Sequence, residues 1–182
     1  MGPWLGGSGE KLGGRDVAFA RAFPTLLAMI GQLVETARLV PHIQATNKDA
    51  VLKELIAIAQ QAGAFPKKSL KTVGKLLSDR EAIGSTGLGN GVAVPHVKAD
   101  GVAGATLVLG RCKEGLEWQA IDGRPVHIVF LLVSKSDEAE KHLACLRWIS
   151  TLARSSDFRR FFLDATDEQA MRDLLTEMAP KD

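Results

Sequence analysis

The stretch Val126–Val133, VHIVFLLV, constrains the fold more than any other part of the chain. Apart from His127 it offers no polar side chain, so neither face of a strand built from it could be left in water. Such a strand is buried on both faces and needs a layer of structure on each side. The Asp-Gly pair in IDGRP (121–125) supplies a turn leading into it. Val92–Val94 and Thr106–Gly110 are β-branched or apolar runs bounded by glycine, proline and aspartate, and Leu39–Gln44 is a shorter strand candidate.

The covering layers come from segments with helical spacing. Between Thr25 and Ala37, Leu26, Ile30, Leu33 and Ala37 recur on one face. ATNKDAVLKELIAIAQQAG can be capped by Thr46 or Asn47, buries Val51, Leu52, Leu55, Ile56 and Ile58–Ala59, and stops at Gly63. A second helix has Pro66 near its first turn and directs Leu70, Val73, Leu76 and Leu77 inward. SDEAEKHLACLRWISTLARSS opens at a Ser/Asp cap with acids in its first turn and buries Leu143, Leu146, Ile149 and Ala153. DFRRFFLDA follows, and then TDEQAMRDLLTEM, where Thr166 and Gln169 stand at capping-box spacing. Helices first, strands in the middle and helices last predict an α/β (mixed α+β) fold: a three-layer α/β/α sandwich with a central mixed sheet flanked by helices.

At 182 residues this is most simply one domain with appendages. Residues 1–14 carry six glycines and little apolar periodicity, and residues 1–32 are read as a glycine-rich extension with a leading helix. A net charge of +2, from 23 basic and 21 acidic side chains, gives no reason to expect nucleic acid or an anionic membrane as partner. Cys112 and Cys145 stand alone without metal-ligand spacing and are read as buried free thiols in a reducing compartment. No run approaches the roughly 20 apolar residues of a membrane span. Phe23–Val34 follows Arg15 and Arg21 as a signal sequence would, but contains Pro24 and Gln32 and lacks a clear small-residue cleavage site. The expected location is cytoplasmic, with no direct membrane insertion.

The chemistry concentrates in GLGNGVAVPH (87–96). Gly87, Gly89 and Gly91 alternate with Leu88 and Asn90, after Thr86. Two readings stand. Successive N–H groups in such a loop can cradle an anion, and a tight helix-to-strand connection uses the same glycines. The spacing matches neither a dinucleotide fingerprint nor a P-loop. Pro95 fixes its own φ and pushes Val94 to extended geometry, so His96 sits on a stiff mount at a strand end. A neutral imidazole nitrogen is nucleophilic at physiological pH and can accept a phosphoryl group. That requires a neighbour to fix the tautomer, a cation to balance charge and donors for the oxygens.

SDREAIGSTGLGNGVAVPH, followed by LEWQAIDGRPVHIVFLLV and KHLACLRWISTLAR, resembles the enzyme IIA domains of the fructose/mannitol/nitrogen-regulatory class. These are phosphoryl carriers of the phosphoenolpyruvate-dependent phosphotransferase system. The resemblance covers roughly residues 33–178. It implies a carrier domain over 33–182, phosphorylation on His96, charge neutralisation by Arg80 and a hydrogen bond from His142 to the phosphoryl site. Thr86, Gly87, Gly89, Asn90 and Gly91 would form the phosphoryl-binding loop or merely support turns. Arg80 could instead satisfy the last carbonyls of its helix, and His142 could be a half-buried surface residue. His42 and His127 match no motif and are read as structural.

The resemblance further implies no metal and no cofactor. The phosphoryl donor would be a histidine-containing phosphocarrier protein. The recipient would be a cysteine-bearing permease IIB subunit or a regulatory target protein, with exposed apolar surface such as Leu88 as docking area. The chain contains no IIB-like segment, which leans toward the nitrogen-regulatory type. A non-catalytic module sensing anions or partners with the same fold is the alternative, and it would be expected to lose at least one of Arg80, His96 and His142. A metal-dependent hydrolase is a poor fit, since nothing resembles HExxH.

Overall fold

The computed structural model describes residues 26–180, and the glycine-rich start expected over 1–14 lies outside them. Residues 26–36 are helical (α1), followed by β1 (Arg38–Val40), α2 (Lys48–Gln61), a 3₁₀ turn (Lys67–Ser69) and α3 (Leu70–Ile83). Then come β2 (Gly87–Gly89), β3 (Val92–Ala93), β4 (His96–Ala99), β5 (Thr106–Leu116) and β6 (Val126–Lys135). Helices α4 (Ala139–Arg154), α5 (Ser156–Asp164) and α6 (Glu168–Glu177) close the chain. The domain boundary expected between 32 and 33 falls inside α1.

The sheet is mixed, in the order β1-β5-β6-β3-β2, with β4 also paired to β6. β5 and β6 are antiparallel, whereas β1 runs parallel to β5, and β3 and β4 run parallel to β6. As the VHIVFLLV run requires, β6 is central. Val129, Leu131 and Val133 join the core beneath α2 and α3. Ile128, Phe130 and Leu132 join the core formed with α1, α4, α5 and α6. The three-layer α/β/α sandwich expected from the sequence is what forms.

Strand lengths differ from expectation in instructive ways. The first strand stops at Val40 because Pro41 has no N–H to continue a ladder. β5 extends beyond Gly110 to Leu116 through an irregular register between Arg111 and Leu116. The long β5 carries Arg111, 1% exposed, whose guanidinium donates to the carbonyls of Pro41, Phe162, Leu163 and Ala165. It thereby ties the end of α5 to the sheet.

Helix capping agrees with expectation at α2, where Asn47 accepts from Ala50 N at 3.0 Å and Gly63 (φ +85°) ends the element. It differs at α4 and α6. Ser136 binds Asp100 instead of capping α4, which starts after Glu138. Asp167, not Thr166, caps α6 by accepting from Ala170 N at 2.9 Å.

Three expected core positions are corrected. Leu76 is 39% exposed, because α3 presents Val73, Leu77 and Glu81 inward, a row of i, i+4, i+8. Leu143 is 48% exposed and Leu146 only partly buried, because α4 is rotated so that His142, Cys145, Ile149 and Leu152 face the core. Both cysteines are buried free thiols.

Candidate functional site

β3 and β4 behave as one strand interrupted at Val94-Pro95. Val92 and Val94 point toward the α4 side of the sheet and Ala93, Val97 and Ala99 toward the α2/α3 side. Strict alternation therefore turns His96 and Lys98 toward α4, in register with Leu132 and Ser134 of β6. Among the described residues no strand pairs with the far edge of β4, so the last turn of α3 can reach round it.

Arg80 does so. Its Nε donates to His96 Nε2 at 3.2 Å, and its Nη1 donates to Gly84 O at 3.0 Å. The other ring nitrogen of His96, Nδ1, lies 2.8 Å from Val94 O. A carbonyl can only accept, so Nδ1 carries the proton and Nε2 presents its lone pair. Burial is the largest influence on His96 and lowers its pKa from the ordinary value, with the Arg80 charge acting in the same direction. The ring is thus held neutral, in a single tautomer, with its nucleophilic nitrogen facing a guanidinium.

His142 completes the cluster. Its ring centroid is 5.6 Å from that of His96, with the planes inclined at 51°. It is buried, and its Nδ1 meets Ser134 Oγ at 2.5 Å. Burial, then the proximity of His96 and Lys98, pulls its pKa down to about 4. Arg80, His96, Lys98 and His142 line an open depression of about 450 Å³, whose apolar rim is Leu76 and Ile83. Leu76, Arg80 and Ile83 recur at i, i+4 and i+7, which makes this face of α3 one wall of the depression.

The residues expected from the sequence divide into two groups. Arg80, His96 and His142 are brought together. Thr86, Gly87, Gly89, Asn90 and Gly91 build a hairpin packed against residues 118–127, and none of them lines the depression. Gly89, Asn90 and Gly91 all adopt positive φ, and Asp122 Oδ2 accepts from Asn90 N at 2.8 Å. The Thr86 hydroxyl donates to Glu81 Oε2 at 2.6 Å and accepts from Trp118 Nε1 at 3.3 Å, leaving no proton for a ligand. Of the two readings of the glycines, the geometry favours the tight turn. His127 Nδ1 lies 3.1 Å from Cys112 O, away from the cluster.

Sequence reasoning passed over Glu81, Lys98 and Ser134. Glu81 is buried next to Arg80 and accepts from Thr86 N, Thr86 Oγ1 and Lys48 Nζ, anchoring the end of α3 to the loop that follows. Alternation could have found the other two, since Lys98 follows His96 by two along β4 and Ser134 follows Leu132 by two along β6.

With this geometry in place, residues 33–178 match the family described as "Phosphoenolpyruvate-dependent sugar phosphotransferase system, EIIA 2". The chain belongs to that family. A nitrogen regulatory protein of Bradyrhizobium diazoefficiens is 30% identical over 146 residues, covering 80% of this chain and 94% of the relative. The fructose-specific EIIABC component of Bacillus subtilis is 29% identical over 136 residues, 75% of this chain but only 21% of that protein's length. The crystal structure of nitrogen regulatory protein IIA-Ntr from Neisseria meningitidis superposes with a TM-score of 0.70 at 28% identity, over 81% of this chain and 99% of that one. In the Escherichia coli complex of enzyme IIAMTL and phosphorylated enzyme IIBMTL, the matching chain is 16% identical with a TM-score of 0.66, over 77% of this chain and 94% of that one, which shows the common EIIA fold. Among the described residues of this EIIA domain, no helix is long and apolar enough to cross a membrane.

Proposed function

We propose that this EIIA domain is a phosphoryl carrier, with residues 33–182 as the carrier unit and His96 Nε2 as the acceptor. The observation that carries the reading is the pair of bonds on one ring: Nδ1–H to Val94 O at 2.8 Å, and Nε2 facing Arg80 Nε at 3.2 Å. In the reaction Nε2 attacks phosphorus in line as the donor's P–N bond breaks. Nδ1 keeps its proton throughout, and the positive charge on the phosphorylated ring is stabilised by the Val94 carbonyl. Before attack the Arg80 guanidinium must leave the lone pair and swing to the phosphoryl oxygens, where it neutralises charge spread over them in the transition state. His142 supplies a hydrogen bond from the α4 side.

The donor is a histidine-containing phosphocarrier protein. The recipient is the cysteine of a permease IIB subunit, or else the phosphorylated state is itself read by a regulatory target. Relatives named as fructose-specific and as nitrogen regulatory support both branches of one chemistry. The exposed Leu76 and Ile83 on the rim of the depression suit a partner that must bring its own reactive atom close. Retention of Arg80, His96 and His142 together favours a working carrier over a sensing module. Incubation with phosphoenolpyruvate and the general phosphotransferase proteins, followed by intact-mass measurement, tests this. One acid-labile phosphoryl group that disappears in His96→Ala is expected, and no adduct from any donor would contradict it.

A further inference from the structure

Ser134 is 1% exposed and lies on the one polar position of β6 that faces α4 after Ile128, Phe130 and Leu132. Among the described residues its Oγ has a single hydrogen-bond partner, His142 Nδ1 at 2.5 Å. A serine hydroxyl can donate or accept, and the two choices put the imidazole proton on opposite nitrogens. If Nδ1–H donated to Ser134, the buried serine proton would have no acceptor, at a cost of about 1–3 kcal/mol. If Ser134 donates, its proton is satisfied, Nδ1 is the acceptor, and the His142 proton sits on Nε2. With Nδ1 occupied, Nε2 is the nitrogen left to serve the depression that His142 shares with His96.

We propose that Ser134 is a positioning residue that holds His142 as the Nε2–H tautomer, so that His142 donates a hydrogen bond to a phosphoryl oxygen on His96. The donor role rests on the carrier reading above, whereas the choice of tautomer does not. The opposite tautomer would aim a lone pair at the phosphoryl oxygens and repel them. Ser134 thus does for the second histidine what the Val94 carbonyl does for the first, with the opposite result. His96 is left with a nucleophilic lone pair on Nε2 and His142 with a donor.

Long-range ¹H–¹⁵N correlation spectra of the unphosphorylated full chain report the tautomer directly. The expected spectrum has His142 as Nε2–H in the wild type, shifted to a mixture or to Nδ1–H in Ser134→Ala, and restored in Ser134→Thr, with backbone amide spectra confirming that each variant is folded. An unchanged His142 tautomer in Ser134→Ala would overturn the proposal. Phosphorylated by phosphoenolpyruvate and the general phosphotransferase proteins, Ser134→Ala should hold its phosphoryl group for a lifetime shorter by on the order of tenfold, with recovery in Ser134→Thr. A shifted tautomer with an unchanged lifetime would overturn the donor role. Absence of phosphoryl uptake by the wild type would overturn the carrier reading and the donor role together, while the tautomer spectra would still decide what Ser134 does.

Discussion

Arg80 Nε and His96 Nε2 are 3.2 Å apart although they belong to opposite sides of the sheet. Arg80 is on the last turn of α3, beneath one face, and His96 points toward α4 on the other. They meet because β4 is an edge strand and the guanidinium can pass around it. A cation within reach of a neutral, tautomerically fixed imidazole is the arrangement that phosphoryl acceptance requires.

Replacing the guanidinium separates its two effects. Arg80→Met is expected to slow phosphoryl transfer about 10²–10⁴-fold, the range associated with losing a positioned cation or donor in the transition state. Because the Arg80 charge helps lower the His96 pKa, the same variant should titrate His96 at a higher pH than the wild type. Rapid-quench kinetics measure the first change and an NMR titration of the ring measures the second.

His142 makes stability pH-dependent. The unfolded imidazole takes up its proton near 6.5, and the folded one only near 4. Between those values the unfolded chain binds more protons, so the contribution is fully present above about pH 6.5 and is lost as pH falls toward 4. The loss should be about 2–3 kcal/mol. Urea unfolding of the wild type and of His142→Gln across that window checks it, and the variant's curve should be flatter.

How much of this was legible beforehand depended on whether the signal was local. The apolar run of β6, the cap of α2 and the Pro95-His96 mount are all written in neighbouring residues: β6 forms as expected, Asn47 rather than Thr46 supplies the cap, and His96 opens β4 directly after Pro95. On α4 periodicity places Ile149 and Ala153 correctly in the core, but it favours Leu143 and Leu146 over His142 because leucine is the more apolar. His142 is met there by a hydroxyl on β6, a partner no helical pattern can reveal. Glu81 escaped for the same reason. A carboxylate on α3 reads as a solvated charge until Lys48, 33 positions earlier, is folded against it. The glycines were ambiguous because an anion cradle and a tight hairpin make the same demand on φ. Only the packing against residues 118–127 separates the two.

Glu81 is 8% exposed and holds the end of α3 through Thr86 and Lys48. Glu81→Ala would leave the Lys48 ammonium and the Thr86 N–H without their acceptor, at a cost of about 2–4 kcal/mol, somewhat below a fully buried pair because Lys48 keeps some contact with solvent. Chemical denaturation should show the loss as a lower midpoint. Phosphoryl transfer should also slow, since the turn carrying Arg80 is no longer pinned.

The glycines should differ sharply in tolerance. A Cβ at Gly87 would lie 2.7 Å from Ala120 Cα, a backbone atom that cannot step aside alone, so Gly87→Ala should cost about 1–3 kcal/mol. A Cβ at Gly84 meets nothing within 4 Å, and Gly84→Ala should stay within about 0.5 kcal/mol of the wild type. Thermal unfolding of the two variants side by side makes the comparison.

The most direct measurement is the site of attachment in the phosphorylated protein, read from ³¹P-coupled ¹H–¹⁵N spectra of the histidine rings. The phosphorus should be bonded to His96 Nε2, with the Nδ1 proton still present on the same ring. Phosphorus on His96 Nδ1, on His142, or on no histidine at all would contradict it.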